Sequence, residues 1–283
     1  LLLDTKVRNK EDLLKGIKEL PLLAEIPFIK GGKLFLNSDE NNFFTESFRI
    51  LTTAIDFVLP KKEKGAQVIF FTSSIKGEGK SFTAVNTSLA YASVGKKVLL
   101  VGCDLRNPQV HNYFNLNKNQ NGLSNYLNDP TINAVDCVLE KDLRKKRLID
   151  IVLSGQIPPN ATGLLKNGRF ETFLEELSPL YDMIIIDTAP ILLVTDTITI
   201  AKYCDLLVYL TKAGHTNKNL LQVPVDLVKD QKVANIGIIL NAVGENAAYG
   251  YGYGYGYGYN YGYGYGYKEQ QKKKKWYQFK SKS

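Results

Sequence analysis

The chain has 283 residues, 44% of them hydrophobic, enough to build the core of one sizeable α/β domain with appendages. No run of eighteen apolar residues occurs, and three leading leucines run straight into Asp4, so neither a signal peptide nor a membrane span is expected within these residues. The net charge of +8 does not describe a basic domain: the seven lysines and one glutamate of 268–283 supply +6 of it, which argues against nucleic acid as a partner.

Residues 1–36 read as a lead-in, with a short helix over 10–19 and an extended apolar segment over 21–28. Between 46 and 58, Phe48, Leu51, Ile55 and Val58 recur at helical spacing, and Pro60 with the charged stretch 61–65 ends that helix. From Gln67 onward short β-branched runs alternate with helical stretches. The pattern predicts strands over 68–72, 97–101, 148–153, 183–187, 206–210 and 236–240. It predicts helices over 80–94, 123–127, 162–177, 197–203 and 218–228. Continuously apolar strands separated by helices indicate a mostly parallel sheet covered on both faces, with ligands at the carboxyl ends of its strands. This domain is expected to occupy 37–246, followed by a tail over 247–283.

In that tail tyrosine and glycine alternate from 249 to 267, with Asn260 standing once in place of glycine. Such a segment has no second apolar face and high unfolded-state entropy, so it reads as a flexible tail. Its basic end, 272–275 with Trp276, Tyr277 and Phe279 beside it, suits either solvent or an anionic lipid or polymer. Cys103, Cys137 and Cys204 are widely spaced and outside any C-x-x-C pattern, which points to a reducing compartment rather than to disulfides or zinc. His111 and His215 show no partner pattern and read as ordinary surface or loop residues.

The strongest local signal is VIFFTSSIKGEGKS over 68–81, a buried strand running into a glycine-containing loop and a helix. Backbone N–H groups and a helix N-terminus face anions there, Lys80 adds a charge, and the Ser81 hydroxyl suits Mg²⁺. Gly77, Glu78, Gly79, Lys80, Ser81 and Phe82 are therefore assigned to a nucleotide. The match to G-x-x-x-x-G-K-[ST] departs at Ser74, where that pattern has glycine. Two further strands end in acidic residues: KVLLVGCDLRNP over 97–108 in Asp104 with Arg106 after it, and MIIIDTAP over 183–190 in Asp187. Carboxylates at strand ends beside a phosphate loop hold Mg²⁺ or its water shell, so Ser81, Asp104 and Asp187 form the expected metal set.

These three motifs resemble the Walker A, Walker A′ and Walker B elements of bacterial tyrosine kinases, the Wzc-type autokinases of capsule and exopolysaccharide export. Segments LLDTKV, LPLLAEIP and IPPN and the tyrosine cluster fit the same family, so the resemblance spans nearly the whole chain. It implies the fold of the MinD/ParA-like P-loop ATPases, a mostly parallel sheet with helices on both faces, with ATP and Mg²⁺ as ligands. Lys80, Asp104, Arg106 and Asp187 take the catalytic roles by that resemblance, and Asn241 falls at the adenine-reading position, although an asparagine there equally suits a strand-terminating turn. The phosphoacceptors it implies are Tyr249, Tyr251, Tyr253, Tyr255, Tyr257, Tyr259, Tyr261, Tyr263, Tyr265 and Tyr267, presented by neighbouring subunits of a homo-oligomeric ring such as an octamer. Other implied partners are a cognate tyrosine phosphatase and the polysaccharide export machinery. Membrane segments outside these residues would hold the domain at the cytoplasmic face of the inner membrane.

Three departures from the family pattern matter. The Walker A′ element carries Gly102 where the family has a first aspartate, leaving Asp104 as the nearby acceptor for a tyrosine proton. The ring-forming Glu-x-x-Arg-x-x-Arg helix keeps Glu46 and Arg49 but has Thr52 in place of the second arginine. The lysine that defines the MinD/ParA loop would stand where the chain has Ile75. Two other classes remain open: an ATPase switch without kinase activity, and a structural protein that self-associates through its Tyr-Gly repeat.

Overall fold

A computed structural model describes residues 5–31, 34–35, 42–143 and 146–244, with side chains described outside 141–148. In chain order the elements are α1 (Lys10–Ile17), β1 (Leu22–Pro27), α2 (Phe43–Val58), β2 (Gln67–Ser73), α3 (Lys80–Ser93), β3 (Val98–Gly102), α4 (Val110–Phe114) and α5 (Leu123–Asn128). They continue with β4 (Leu139–Leu143), β5 (Lys146–Val152), α6 (Ala161–Lys166), α7 (Arg169–Leu177), β6 (Met183–Asp187), α8 (Asp196–Ile200), β7 (Leu206–Lys212), α9 (Gln222–Lys229) and β8 (Ile236–Val243). Among the described residues eight strands form one sheet in the order β1-β8-β7-β2-β6-β3-β5-β4. Every pairing is parallel except that of β4 with β5.

Strand period 2 sends alternate side chains of each central strand to opposite faces, and both faces are buried. Phe70, Val101, Ile184, Ile186 and Tyr209 pack with α5, α7 and α1 in one core. Ile69, Phe71, Leu100, Ile185 and Val208 pack with α2 and α3 in the other. The six strands predicted from continuous apolar runs are all present. Register matters for the site: Phe71 of β2 and Gly102 of β3 both lie opposite Asp187 of β6, so these three strands end level with one another.

The structure corrects several boundaries. The 21–28 segment is an edge strand rather than a bare lead-in: β1 pairs with β8, and Pro27 stands at its end, where a missing N–H disturbs the ladder least. Val7, Leu13 and Ile17, upstream of it, are fully buried. The helix expected from 46 begins at Phe43, because the Asn42 side chain caps it by accepting from Thr45 N at 3.0 Å. The single helix expected over 162–177 is two, broken where Gly168 adopts φ +86°. Strand β4 and the short α4 were not foreseen. The ten tail tyrosines from Tyr249 to Tyr267 lie outside the described residues.

Candidate active site

The loop between β2 and α3 turns through two left-handed glycines, Gly77 at φ +89° and Gly79 at φ +98°. A side chain at Gly79 is doubly excluded, since its Cβ would meet Asn241 Nδ2 at 2.1 Å. Ser74 stands where the P-loop pattern has glycine, and its φ is not left-handed. Its hydroxyl is buried at 2.7 Å from the Tyr209 hydroxyl, so this position favours an anchored polar group.

Lys80 and Ser81 open α3, and their polar groups meet the end of β6. The Ser81 hydroxyl donates to Asp187 Oδ2 at 2.5 Å. Asp187 is 1% exposed, and its other oxygen, Oδ1, is buried with no partner among the described residues. Burial pushes the Asp187 carboxyl up to about 7, and Asp104 acts in the same direction against the Ser81 hydrogen bond and the Lys80 charge. An orphaned, desolvated carboxylate oxygen beside a hydroxyl is chemically what a hard divalent cation with oxygen ligands relieves, so the residues present fit Mg²⁺. Lys80 is also nearly buried: desolvation pulls its ammonium down, while Asp187, Asp104 and Glu78 hold it up.

Asp104 follows β3 in a tight turn, where its Oδ1 accepts from Asn107 N at 2.9 Å and Arg106 N at 3.2 Å. Arg106 reaches the rim of the cleft but is committed to Asp196, through Nε to Oδ2 at 2.8 Å and Nη2 to Oδ1 at 3.2 Å. Thr162 completes that cluster, donating to Asp196 Oδ1 at 2.5 Å and accepting from Arg106 Nη2 at 3.0 Å. The cleft, about 350 Å³, is lined by Lys80, Asp104, Arg106, Tyr113, Pro190 and Leu193 among others. Phe82 lines it too, and its ring packs on Phe44 and Phe48 of α2 at 6.2 Å between centroids.

Two of the residues assigned to the nucleotide sit behind the loop. The Glu78 carboxylate is turned inward and fully buried, and burial pushes it up in pKa against hydrogen bonds from Ile75 N and the Thr216 hydroxyl. Asn241 has both amide atoms engaged by backbone, donating to the Glu78 carbonyl at 2.9 Å and accepting from Ala242 N at 2.8 Å. His215 is a turn residue, as expected, and its ring lies 3.0 Å from the Lys76 carbonyl, against Gly77. Tyr113, Thr162, Asp196 and His215 carry no local sequence pattern, because the topology alone brings them to the loop.

A family model described as an AAA domain matches residues 66–236. Over 203 residues the chain is 35% identical to the tyrosine-protein kinase CpsD of Streptococcus agalactiae, covering 72% of this chain and 85% of that one. The chain belongs to the bacterial tyrosine-protein kinases. Its fold superposes on the kinase domain of the Escherichia coli tyrosine kinase ETK with a TM-score of 0.71 and 26% identity, covering 84% of this chain and 95% of that one. The septum site-determining protein MinD from Pyrococcus horikoshii shares the fold at 19% identity and a TM-score of 0.53, over 64% of this chain and 72% of that one. The expected P-loop α/β class is thus the one observed.

Within this kinase family the Gly102 departure acquires a physical context. A Cβ at Gly102 would lie 2.9 Å from Ser154 Oγ and 3.2 Å from Ser154 N, and the Ser154 hydroxyl donates to the Gly102 carbonyl at 2.8 Å. Ser154, just beyond β5, fills the space that a side chain at 102 needs.

Proposed function

We propose that the protein is an ATP-dependent tyrosine autokinase that phosphorylates the C-terminal tyrosine cluster of a neighbouring copy, within an oligomer serving capsule or exopolysaccharide export at the cytoplasmic face of the membrane. The observation that carries this reading is the Ser81–Asp187 pair with its orphaned Oδ1, level with the phosphate loop and beside Lys80. Ser81 and Asp187 would hold Mg²⁺, which would supply neutralisation of charge on the phosphate oxygens. The loop from Gly77 to Ser81 positions the phosphates, and Lys80 stabilises their charge from a desolvated position, where it acts more strongly than in water. Asp104, at the cleft, accepts the proton that an attacking tyrosine must lose, a phenol with a pKa of about 10 in water. Arg106 braces the rim through Asp196 and Thr162.

A tail of alternating tyrosine and glycine suits such a cleft. In an extended chain successive tyrosines fall on one side, roughly 7 Å apart, with only hydrogens on the other. Assembly is assigned to α2, whose outer face carries the Glu46–Arg49 ion pair at 3.1 Å together with exposed Phe43, Ile50 and Phe57. Among the described residues no helix is long and apolar enough to cross a membrane, so the membrane attachment belongs to this proposal alone.

The test is direct. Dephosphorylated chain incubated with Mg·ATP should gain phosphates by intact mass, and peptide mapping should locate them within 249–267. Asp187→Asn should gain almost none over the same interval. A wild-type chain that hydrolyses ATP but never gains mass would establish the switch without kinase activity in its place.

A further inference from the structure

The back of the phosphate loop is bound more tightly than its turn geometry requires. One Glu78 oxygen accepts from Ile75 N at 2.9 Å, closing the loop on itself, and the other accepts from the Thr216 hydroxyl. Thr216 stands on the turn after β7, where its Oγ1 also accepts from Lys212 N at 2.8 Å. Asn241, near the end of β8, holds the Glu78 carbonyl, and His215 meets the carbonyl of Lys76. A carboxylate in an anion-binding loop works against its ligand unless it faces away, and a fully buried one is costly unless it is hydrogen-bonded. Glu78 meets both conditions, with the Lys80 ammonium as its nearby counter-charge. A loop with two left-handed glycines has many alternative shapes, and convergent N–H groups bind phosphate well only if those alternatives are suppressed beforehand.

Resting on the nucleotide-site reading above, we propose that Glu78 is a positioning residue that fixes the phosphate loop from behind, and that the Thr216 hydroxyl sets nucleotide affinity by holding it. Neither side chain touches the nucleotide. The coupling runs from the turn after β7, through a buried carboxylate, to the peptides that carry the phosphates. It adds a residue outside every recognised motif to the determinants of ATP binding.

The test is calorimetric titration of the full chain with Mg·ADP, together with autophosphorylation rates across ATP concentration. Thr216→Val should raise the Kd for Mg·ADP about tenfold, the scale of losing one hydrogen bond to a buried charged group. It should raise the KM for ATP in parallel while kcat at saturating ATP stays within about twofold, as expected for lost pre-organisation. Thr216→Ser should restore the wild-type Kd. Glu78→Ala should weaken binding at least as much, and adding Thr216→Val to it should weaken binding no further, because the two groups act as one. Wild-type affinity in folded Thr216→Val overturns the proposal, as do equal losses in the valine and serine variants. If Thr216→Val does not fold, the decision passes to Glu78→Ala, whose wild-type affinity would overturn the proposal equally. A wild-type chain that fails to bind Mg·ADP defeats the nucleotide site itself, a result distinct from normal binding by both wild type and variants.

Discussion

In the proposed site Lys80 would be under opposing demands: phosphate binding needs it charged, yet it is 8% exposed and desolvation works against its charge. Lys80→Met keeps the length of the side chain and removes the desolvated ammonium. It should therefore lower the autophosphorylation rate by at least about 100-fold, while thermal unfolding without nucleotide stays within about 3 °C of wild type, the shift that about 1 kcal/mol produces in a domain of this size. Rates followed by intact mass, with scanning fluorimetry on the same samples, check both halves. Gly102 gives the converse case, where space decides the residue. Gly102→Asp, restoring the family's first aspartate, should destabilise the fold by about 1–3 kcal/mol through overpacking against Ser154. Ser154→Ala removes the nearer of the two contacts, at 2.9 Å, and should recover part of that loss, which urea unfolding of the three variants measures. The convergence of Lys80, Ser81 and Asp187 was legible in the sequence because a phosphate-binding pattern dictates residue type at the start of a helix and at the end of a strand. Thr216, Tyr113 and Asp196 were not, since the turn after β7, α4 and α8 reach the site separately and only the fold determines their placement.

Elements buried on both faces announce themselves by unbroken apolar runs, and the six such strands were readable to within a few residues. The edges were harder for a physical reason. An edge strand needs one partner and tolerates polar or proline residues, so LEKDL in β4 and the proline-flanked β1 lack the signature of the central strands. Helix α2 shows both kinds of information at once. Phe44, Phe48, Leu51 and Ile55 bury its inner stripe, whereas Phe43, Ile50 and Phe57 recur every seven residues on the outside, at 49%, 45% and 91% exposure. A seam of that spacing on a surface helix suits packing against a second helix. If α2 is the assembly face, Ile50→Glu with Phe57→Glu should convert oligomer to monomer in size-exclusion chromatography with light scattering. Because both side chains already face solvent, the unfolding free energy should move by no more than about 0.5 kcal/mol per site. Oligomers of unchanged mass in this double variant would assign assembly to another surface.

For the whole molecule, charge and apolar contact are set against each other, and phosphorylation should decide between them. The C-terminal segment 268–283 carries +6, and the ten tyrosines of 249–267 are neutral, so the unmodified tail is cationic and suited to approaching a neighbour's phosphate-binding cleft. Each phosphate adds about −1.5 to −2 at neutral pH, so roughly four offset the basic end and ten bring the cluster to about −15 to −20. Tails of that charge would repel one another and a bound nucleotide, whereas assembly through exposed Phe43, Ile50 and Phe57, if α2 is the face used, would be insensitive to charge. The sign of the salt dependence follows. Unphosphorylated chain should remain assembled at both low and high salt, held by its apolar seam. Phosphorylated chain should dissociate at low salt and reassemble as the Debye length falls from about 10 Å at 0.1 M to about 3 Å at 1 M, because screening removes the repulsion and leaves the seam intact. A tail that merely displays phosphates to other proteins predicts no such difference, with α2 alone governing assembly. Light scattering of both forms across that salt range separates the two, and equal masses at low salt, where the unmodified chain is oligomeric, would defeat the charge mechanism.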